Sequence, residues 1–396
     1  MADFSHGVAG PFATMYLADA GADVIKIERP GRGDASRYMT VSPAFGRFVP
    51  DVGGDYFLSI NKNKRSVALD LKSEGGLAVA LALAGRADVL VENFSPGTMD
   101  QLGLGYQAVR SVNPRIVYCS IKAFRPDSAL AGESSMDVAI QAYSGLMAIT
   151  GHPGGAPVKP GSSLADLSGG LHAFAAILLA LLARPAAGGQ HIDIALLDST
   201  MAMLTNYSVP MLDSDVDIGP IGSGHPQLVP FQAFACSDGW IVIAAGTNGR
   251  WRKLCGLLGL ERLQDDPKFG TNDARVRHRQ ELVPILEQAL IGRSVAEWDT
   301  LLRAAGVPSA PIRSLREAFN DPDLERTGAV VTVSHPVLGP LRLLRNAIRV
   351  TGTGFAPTPP PVLGADTRAV LAGRLGLSDD QIDDLLAQGA IAEASV

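Results

Sequence analysis

The decisive stretch of this sequence is Pro157-Val-Lys-Pro-Gly-Ser-Ser-Leu-Ala-Asp166-Leu-Ser-Gly-Gly-Leu-His172-Ala-Phe-Ala-Ala-Ile-Leu-Leu-Ala-Leu-Leu-Ala-Arg184. A loop rich in Pro, Gly and Ser runs into one carboxylate and then into an almost wholly apolar segment. Helices that are apolar all round lie inside large proteins or in membranes. The apolar run has about 17 residues and contains two adjacent glycines and a histidine, which is short and poor for a membrane span. The stretch therefore predicts a buried central helix with Asp166 at its N-terminal end.

The position of Asp166 favours a functional carboxylate. Backbone N–H groups in the first turn of a helix have no partner within the helix, and the helix dipole is positive there. A carboxylate at that point is expected to stay ionised and to be fixed in direction. The alternative is that Asp166 serves only as the helix N-cap, and the spacing alone does not separate the two.

Composition bounds the possible functions. The chain has 396 residues, of which 46% are hydrophobic and 19% charged, as in ordinary globular proteins with more than one domain. Its net charge of −6 argues against general nucleic-acid binding, which needs a basic surplus. The three cysteines, Cys119, Cys236 and Cys255, are far apart and show no metal spacing, so we expect reduced thiols, no metal and a cytoplasmic location. No signal peptide and no membrane-spanning segment is expected.

The first half of the chain predicts an α/β domain. A helix opens at Gly10-Pro11, and another covers roughly 73–85. Strand-like runs alternate with helical ones, which implies parallel pairing through crossover helices. The predicted strands cover 23–28, 67–70, 88–92, 115–120 and 191–195. Residues 1–200 are thus interpreted as the first part of a large, Rossmann-like domain.

The pattern changes after residue 200. Residues 231–244 predict two strands joined around Ser237-Asp238-Gly239, and helical segments follow over 248–259, 276–291 and 295–305. We place a smaller α+β domain at 225–320. Residues 330–396, with short strands and two amphipathic helices, are expected to return to the large domain.

Cationic residues follow successive predicted strands. Ligands gather at the carboxyl ends of parallel strands, where Arg29, Lys72 and Lys122 fall. Each alone is typical of a solvated loop charge, but three together favour a phosphorylated ligand. No Gly-x-Gly-x-x-Gly follows the early strands, which argues against a nicotinamide enzyme.

Collinear motifs along the chain resemble those of the family III CoA-transferases. Together they cover essentially the whole length in order. The motifs are Ala9-Gly-Pro-Phe-Ala-Thr, Gly21-Ala-Asp-Val-Ile-Lys-Ile-Glu-Arg29-Pro, Asn63-Lys-Arg-Ser-Val-Ala-Leu-Asp-Leu-Lys72, Val91-Glu-Asn-Phe94 with Pro96-Gly97, the Asp166 segment, Gly224-His-Pro with Asp238-Gly239, Gly306-Val-Pro and Pro361-Val-Leu-Gly364.

The resemblance implies a specific fold and site. It implies a Rossmann-like large domain formed by both chain ends, a small domain, and a homodimer of two interlocked subunits. It makes Asp166 the nucleophile and places Asp137 near the reacting centre. The family also has a first strand before the segment that begins here at Asp3, and this sequence departs from the family there. By the same carry-over the CoA site is lined by Val8, Ala9, Arg29, Leu69, Lys72, Asn93, Phe94 and Ser95, with Lys122 added from its strand end, and a loop with Gly222, Gly224 and His225 shields the site.

The chemistry implied by this resemblance fits a fixed carboxylate. Attack of Asp166 on an acyl-CoA thioester gives a mixed anhydride and a CoA thiolate. The thiolate attacks the anhydride, and the resulting aspartyl-CoA thioester passes CoA to an incoming carboxylic acid. CoA thioester and acid are both substrates, so no permanently bound cofactor is expected.

Two alternatives to a transferase remain open at this stage. An α-methylacyl-CoA racemase needs two proton-transfer groups, and the position before Asp137, where a histidine would act, holds Met136. A non-catalytic CoA-binding protein would not need Asp166, Asp137 and the glycine loop together. The acid pair is not fixed by the sequence, although Val8 stands where formyl-CoA transferase, a member of the family, has a glutamine, which argues against an oxalate-like acceptor.

Overall fold

The structure is a computed structural model that describes residues 1–41, 48–349 and 356–394. Contacts divide the chain into two units. The first unit comprises residues 1–146, 159–215 and 323–396, and the second comprises residues 147–158 and 216–322. Residues 147–158, which were predicted to lie in the large domain, belong to the second unit instead. There the backbone N–H of Gly222 donates to the carbonyl of Gly151 at 2.8 Å.

The elements of the first unit begin with a short strand and alternate in chain order. Up to residue 143 they are β1 (Ala2–Asp3), α1 (Ala9–Asp19), β2 (Val24–Glu28), α2 (Asp55–Ile60), β3 (Lys64–Leu69), α3 (Glu74–Gly85), β4 (Val89–Glu92), α4 (Thr98–Gln101), α5 (Tyr106–Val112), β5 (Val117–Lys122) and α6 (Asp137–Tyr143). Helix α7 (Leu146–Ile149) begins at the last residue of this segment and otherwise belongs to the second unit. Then follow α8 (Leu164–Ala187), β6 (Gln190–Ala195), α9 (Leu196–Ala202) and α10 (Thr205–Asp213).

The later elements complete both units. Within 231–319 they are β7 (Phe231–Ala235), β8 (Trp240–Ala244), α11 (Asn248–Leu258), α12 (Asn272–Arg277), α13 (Arg279–Leu290), α14 (Val295–Ala304), β9 (Ser309–Pro311) and α15 (Leu315–Phe319). The C-terminal part has α16 (Pro322–Arg326), β10 (Val330–His335), β11 (Gly339–Leu344), α17 (Thr367–Val370), α18 (Asp379–Ala387) and β12 (Ile391–Ala392).

A seven-stranded sheet organises the first unit. Its order is β12-β3-β2-β1-β4-β5-β6, and every pairing is parallel except that of β12 with β3. The predicted α/β class is therefore confirmed, and all five predicted strands are present. The first strand, β1, lies in the centre of the sheet between β2 and β4, although no strand was predicted at Ala2–Asp3.

Strand β2 buries charge in the middle of this sheet. Lys26 and Glu28 are fully buried, although a strand of alternating pattern would expose them. Lys26 pairs with Asp34 at 2.8 Å, and Glu28 pairs with the guanidinium of Arg37 at 2.7 Å. Glu28 lies at the carboxyl end of β2, but its carboxylate is bound by Arg37 inside the unit.

Helix α8 is longer and less buried than predicted. Its 24 residues bury a face of small side chains, including Ala165, Gly169 and Gly170, and leave large leucines outside. Leu179 and Leu182 are 67% and 78% exposed in the single chain. The sequence pattern did not predict which face of α8 is buried, because it counts small and large apolar residues as equivalent. Among the described residues, only α8 is long and apolar enough to cross a membrane. This is weak evidence for a membrane span, because the core helices of soluble proteins have the same length and composition.

The second unit has its own core. Strands β7 and β8 form the predicted antiparallel hairpin, and β9 pairs with β8. Helices α11, α13 and α14 pack on it around Trp251, Leu254, Leu286 and Trp298. The predicted helix over 276–291 is divided at His278, where α12 ends and α13 begins.

Candidate active site

A cleft of about 460 Å³ in the first unit contains Asp166. It lies at the carboxyl ends of the central parallel strands, where ligands of open α/β sheets bind. Its wall is formed by His6, Gly7, Val8, Ala9, Ala35, Met39, Tyr56, residues 93–96, 121–123 and 133–137, Ser163, Asp166 and Leu196. A larger cavity of about 710 Å³, which shares Pro96 and Lys122 with this cleft, contains neither Asp166 nor Asp137.

Asp166 occupies the first turn of α8, where it is partly buried. Among the described residues, none forms a hydrogen bond with its side-chain oxygens, so the carboxylate is available to a ligand in the cleft. Burial, and after it the negative charge of Asp137, raise the pKa of Asp166 to about 7. At neutral pH part of the Asp166 population is therefore protonated, whereas the helix position alone predicts a fully ionised carboxylate.

Asp137, rather than Asp166, caps the N-terminus of α8. The Asp137 Oδ1 atom accepts hydrogen bonds from the backbone N–H groups of Ala165 at 2.9 Å and Asp166 at 3.3 Å. Its Oδ2 atom accepts from Gln141 Nε2 at 2.6 Å. The first N–H groups of α8 are thus satisfied by a carboxylate from α6, which leaves the Asp166 side chain free of a structural duty.

The first turn of α1 lies beside α8 because α8 carries a glycine pair. A Cβ atom on Gly170 would stand 2.7 Å from the carbonyl oxygen of Ala9, and one on Gly169 would stand 2.3 Å from Leu196. Only glycine permits such an approach. Val8 and Ala9, both predicted for the CoA site, are thereby brought into the cleft that holds Asp166.

The Asn93-Phe94-Ser95 turn is tied to the loop after β1. Asn93 Oδ1 accepts from the His6 backbone N–H, and Asn93 Nδ2 donates to the His6 carbonyl, both at 2.7 Å. The Phe94 ring lies edge-on to the His6 ring at 5.0 Å. Asn93 therefore fixes the backbone of the cleft wall, while Phe94 and Ser95 offer surface to a ligand. Burial lowers the pKa of His6, so its ring is neutral at neutral pH.

Lys122 also lines the cleft, but its ammonium group is already engaged. Its Nζ atom pairs with Glu92 Oε2 at 2.6 Å and donates to the Phe94 carbonyl at 2.7 Å. Glu92 is 2% exposed, so the pair balances a buried charge. The structure gives Lys122 the role of holding the Phe94 turn rather than that of a free cation.

Three predicted CoA contacts lie outside the cleft wall. Arg29 and Lys72 are exposed, at the carboxyl ends of β2 and β3, and neither side chain forms an ion pair within the part of the chain that the structure describes. Leu69 is 1% exposed and packs in the core below the sheet edge. Its side chain therefore offers no surface to a ligand.

The predicted loop with Gly222, Gly224 and His225 belongs to the second unit. Gly222 has a φ of +67°, a conformation that favours glycine, and a Cβ atom there would stand 3.2 Å from His152 Nδ1. His225 donates its backbone N–H to the Phe231 carbonyl, and Arg279 donates to the His225 carbonyl.

Several residues of the cleft were not found from the sequence. Tyr56 and Met39 come from a segment without a motif, and no pattern in the sequence could have placed them here. Gln141, which holds Asp137, lies one helical turn after it, so an i,i+4 pattern on a predicted helix would have indicated it. Residues 133–135 lie just before Met136 and Asp137, and Ser134 Oγ donates to Ser95 Oγ at 3.0 Å.

Comparisons with known proteins identify the family of the chain. The model of CoA-transferase family III matches residues 1–367. Succinyl-CoA:glutarate CoA-transferase of Mus musculus is 38% identical over 391 residues, which cover 98% of this chain and 88% of the relative. Acetyl-CoA:oxalate CoA-transferase of Acetobacter aceti is 38% identical over 343 residues, covering 85% and 86%.

A solved structure has the same fold. The crystal structure of a CAIB/BAIF family protein from Brucella suis superposes with a TM-score of 0.84 at 33% identity, and covers 94% of this chain and 97% of its own. The resemblance seen in the motifs is thus confirmed by whole-chain similarity in sequence and in structure. The chain belongs to CoA-transferase family III.

Proposed function

We propose that the protein transfers CoA from an acyl-CoA thioester to a carboxylic acid, with Asp166 as the covalent nucleophile. Family membership supports the reaction class. The observation that carries the role of Asp166 is its carboxylate, which lines the cleft without a hydrogen-bond partner among the described residues.

The reaction consists of four acyl transfers that need no redox partner. The Asp166 carboxylate attacks the thioester carbonyl and expels CoA thiolate, which leaves a mixed anhydride. The thiolate attacks the aspartyl carbonyl of this anhydride and expels the donor acid, which gives an aspartyl-CoA thioester. The acceptor carboxylate then expels the thiolate from that thioester, and the thiolate attacks the acceptor acyl carbon and releases Asp166.

The raised pKa of Asp166 suits its attack on the thioester. At pH 8 most of the carboxylate is ionised and can attack, while a basic carboxylate is a better nucleophile than one at the usual pKa. The first turn of α1, with N–H groups that have no partner inside the helix, faces the same cleft and suits developing oxyanions.

The CoA moiety would run along the carboxyl edge of the sheet. Val8, Ala9, Phe94 and Ser95 line the cleft and fit the pantetheine arm. Arg29 and Lys72, exposed cations farther along the same edge, fit the phosphates. Asn93 and Lys122 then act through the wall that they hold, whereas Leu69 only packs in the core.

The acid pair is proposed from the relatives. Their names give succinyl-CoA with glutarate and acetyl-CoA with oxalate, and Val8 argues against an oxalate-like acceptor. We therefore place succinate- and glutarate-like dicarboxylates first among the acids to be tested.

Exposed apolar side chains support a homodimer. Leu179 and Leu182 of α8 and Leu212 of α10 are all more than half exposed in the single chain, and large exposed apolar groups mark interaction surfaces. We propose that a second copy covers them in a cytoplasmic dimer. Light scattering of the purified protein tests the dimer.

The racemase and the binding protein are less well supported. Met136 lies at the N-terminus of α6 in the cleft wall, where a thioether cannot move protons. A pure binding protein leaves the unpartnered Asp166 unexplained.

Steady-state assays of Asp166→Ala test the proposal. With succinyl-CoA and glutarate as the first pair, and other CoA esters and acids read by product mass, we expect loss of transfer while CoA binding by calorimetry persists. More than about a tenth of the wild-type rate in the variant would contradict covalent catalysis by Asp166. Exchange of the substrate α-proton with deuterium from solvent would instead indicate a racemase.

A further inference from the structure

Gln141 is a buried amide that the proposed chemistry does not use. It lies on α6 one turn after Asp137 and is 0% exposed. Its Nε2 atom donates to Asp137 Oδ2 at 2.6 Å and to the Ser162 carbonyl at 3.3 Å. Both acceptors belong to the surroundings of Asp166: one is the carboxylate that caps α8, and the other lies in the loop that leads into α8.

The orientation of this amide is fixed by its neighbours. A reversed amide would place Gln141 Oε1 against two acceptor oxygens, so the N–H groups must face Asp137 and Ser162. Oε1 is then buried without a hydrogen-bond partner among the described residues, which costs stability. A buried amide that satisfies its donors at the expense of its acceptor points to a role for those donors.

The contacts form a continuous chain from Gln141 to the nucleophile. Gln141 holds one oxygen of Asp137, and the other oxygen accepts from the backbone N–H groups of Ala165 and Asp166. All three donors hold this carboxylate in place against the first turn of α8. We propose that Gln141 is a positioning residue for Asp166 that acts through Asp137, by keeping the Asp137 charge fixed at the first turn of α8.

This inference rests on the proposed function, in which Asp166 is the nucleophile. Other titratable groups line the same cleft, and any of them could contribute to a pH profile. They are His6, Tyr56, Lys122 and Glu133. Asp137 is nonetheless the charged neighbour that acts on Asp166 after burial, so a change at Gln141 should be read out as a change in the ionisation of Asp166.

Gln141→Met is the test variant, because methionine keeps the length of the side chain and removes the amide. It loses two donor bonds and also the unpartnered acceptor, so the fold should be retained. We expect kcat at pH 8 to fall by about tenfold with KM for the acyl-CoA within about twofold, since the ground-state contacts to CoA are untouched. We also expect the acidic limb of the kcat profile to move to lower pH, which a purely structural role would not cause.

A double-mutant cycle shows whether Gln141 acts through Asp137. In the Asp137→Asn background, Gln141→Met should have little further effect on kcat or on the pH midpoint. Ile140→Val, a conservative change of the fully buried neighbour on α6, is the matched control and should leave the pH midpoint unchanged.

Two outcomes would overturn the inference: a wild-type pH midpoint in Gln141→Met, or equal effects of that change in both backgrounds. Mass spectrometry of the Asp166 peptide after turnover separates this failure from that of the proposed function. An acyl or CoA adduct on Asp166 in the wild-type protein, with a wild-type profile in Gln141→Met, would reject only the role of Gln141.

Discussion

The carboxylate of Asp137 caps the helix that carries Asp166, and accepts a hydrogen bond from the Asp166 backbone N–H at 3.3 Å. One aspartate therefore positions the other and also opposes its ionisation, because burial and the Asp137 charge together raise the pKa of Asp166 to about 7. The two carboxylates of the cleft have different roles that follow from their surroundings rather than from their type.

Asp137→Asn should move the acidic limb of the kcat profile to lower pH. Asparagine can still accept from the N-terminus of α8 but carries no charge, so one of the two causes of the raised pKa disappears while burial, the larger cause, remains. The shift should thus be smaller than the whole rise from 3.8 to about 7. Rates from pH 5 to pH 9 with saturating substrates measure it, and an unmoved midpoint would show that Asp137 does not act on Asp166 electrostatically.

Asp166→Asn should stabilise the fold above neutral pH. The native state binds the Asp166 proton more tightly than the unfolded state does, so stability falls as pH rises from 3.8 through about 7. At about 1.4 kcal/mol per pKa unit, the upper bound of the gain at pH 8 is about 4 kcal/mol, and little gain is expected at pH 4. Thermal melts at both pH values check this. Asp380→Asn, a change of an exposed aspartate on α18, is the control; an equal gain in that variant would remove the explanation.

Gly170→Ala should separate α1 from α8. The added Cβ atom would stand 2.7 Å from the Ala9 carbonyl oxygen, which is backbone and cannot turn away. We expect a loss of about 1–3 kcal/mol in stability and a weaker affinity for CoA. Gly249→Ala on α11 is the matched control, because no atom lies within 4 Å of its added Cβ; it should be neutral or stabilising by up to about 1 kcal/mol. Equal melting temperatures for the two variants would contradict the close approach.

Lys72→Ala and Lys122→Met should separate a ligand contact from a structural one. Lys72 is exposed and unpaired among the described residues, so its loss should raise KM for the acyl-CoA without changing kcat or the melting temperature. Lys122 neutralises the buried Glu92, so its loss should lower the melting temperature clearly. Calorimetry measures the melting temperatures of both variants, and steady-state kinetics measure KM and kcat. A lowered melting temperature in Lys72→Ala, or a raised KM without a loss of stability in Lys122→Met, would contradict these roles.

The sequence predicted those parts of the fold that follow from local pattern. Strands at 23–28 and 191–195 and the hairpin at 231–244 were found because their apolar runs end at turn residues. Strand β1 was not predicted as part of this chain, since two residues carry no periodicity. The burial of Lys26 and Glu28 was missed because their partners, Asp34 and Arg37, lie outside the strand.

The candidate site was predictable to a similar extent. Motif resemblance found Asp166 and Asp137, which the structure places in one cleft. It could not show that Asp137 rather than Asp166 accepts the N–H groups of α8, because capping across two helices depends on their packing. The partial protonation of Asp166 at neutral pH was missed for the same reason: the helix N-terminus was counted, but burial and the second charge were not.

The most direct test of covalent catalysis is the mass of the peptide that contains Asp166 after the enzyme is mixed with an acyl-CoA and quenched. We predict an adduct of acyl or CoA mass on Asp166 that hydroxylamine removes and that Asp166→Ala lacks. Efficient CoA transfer by the wild-type protein without any adduct on this residue would contradict the account.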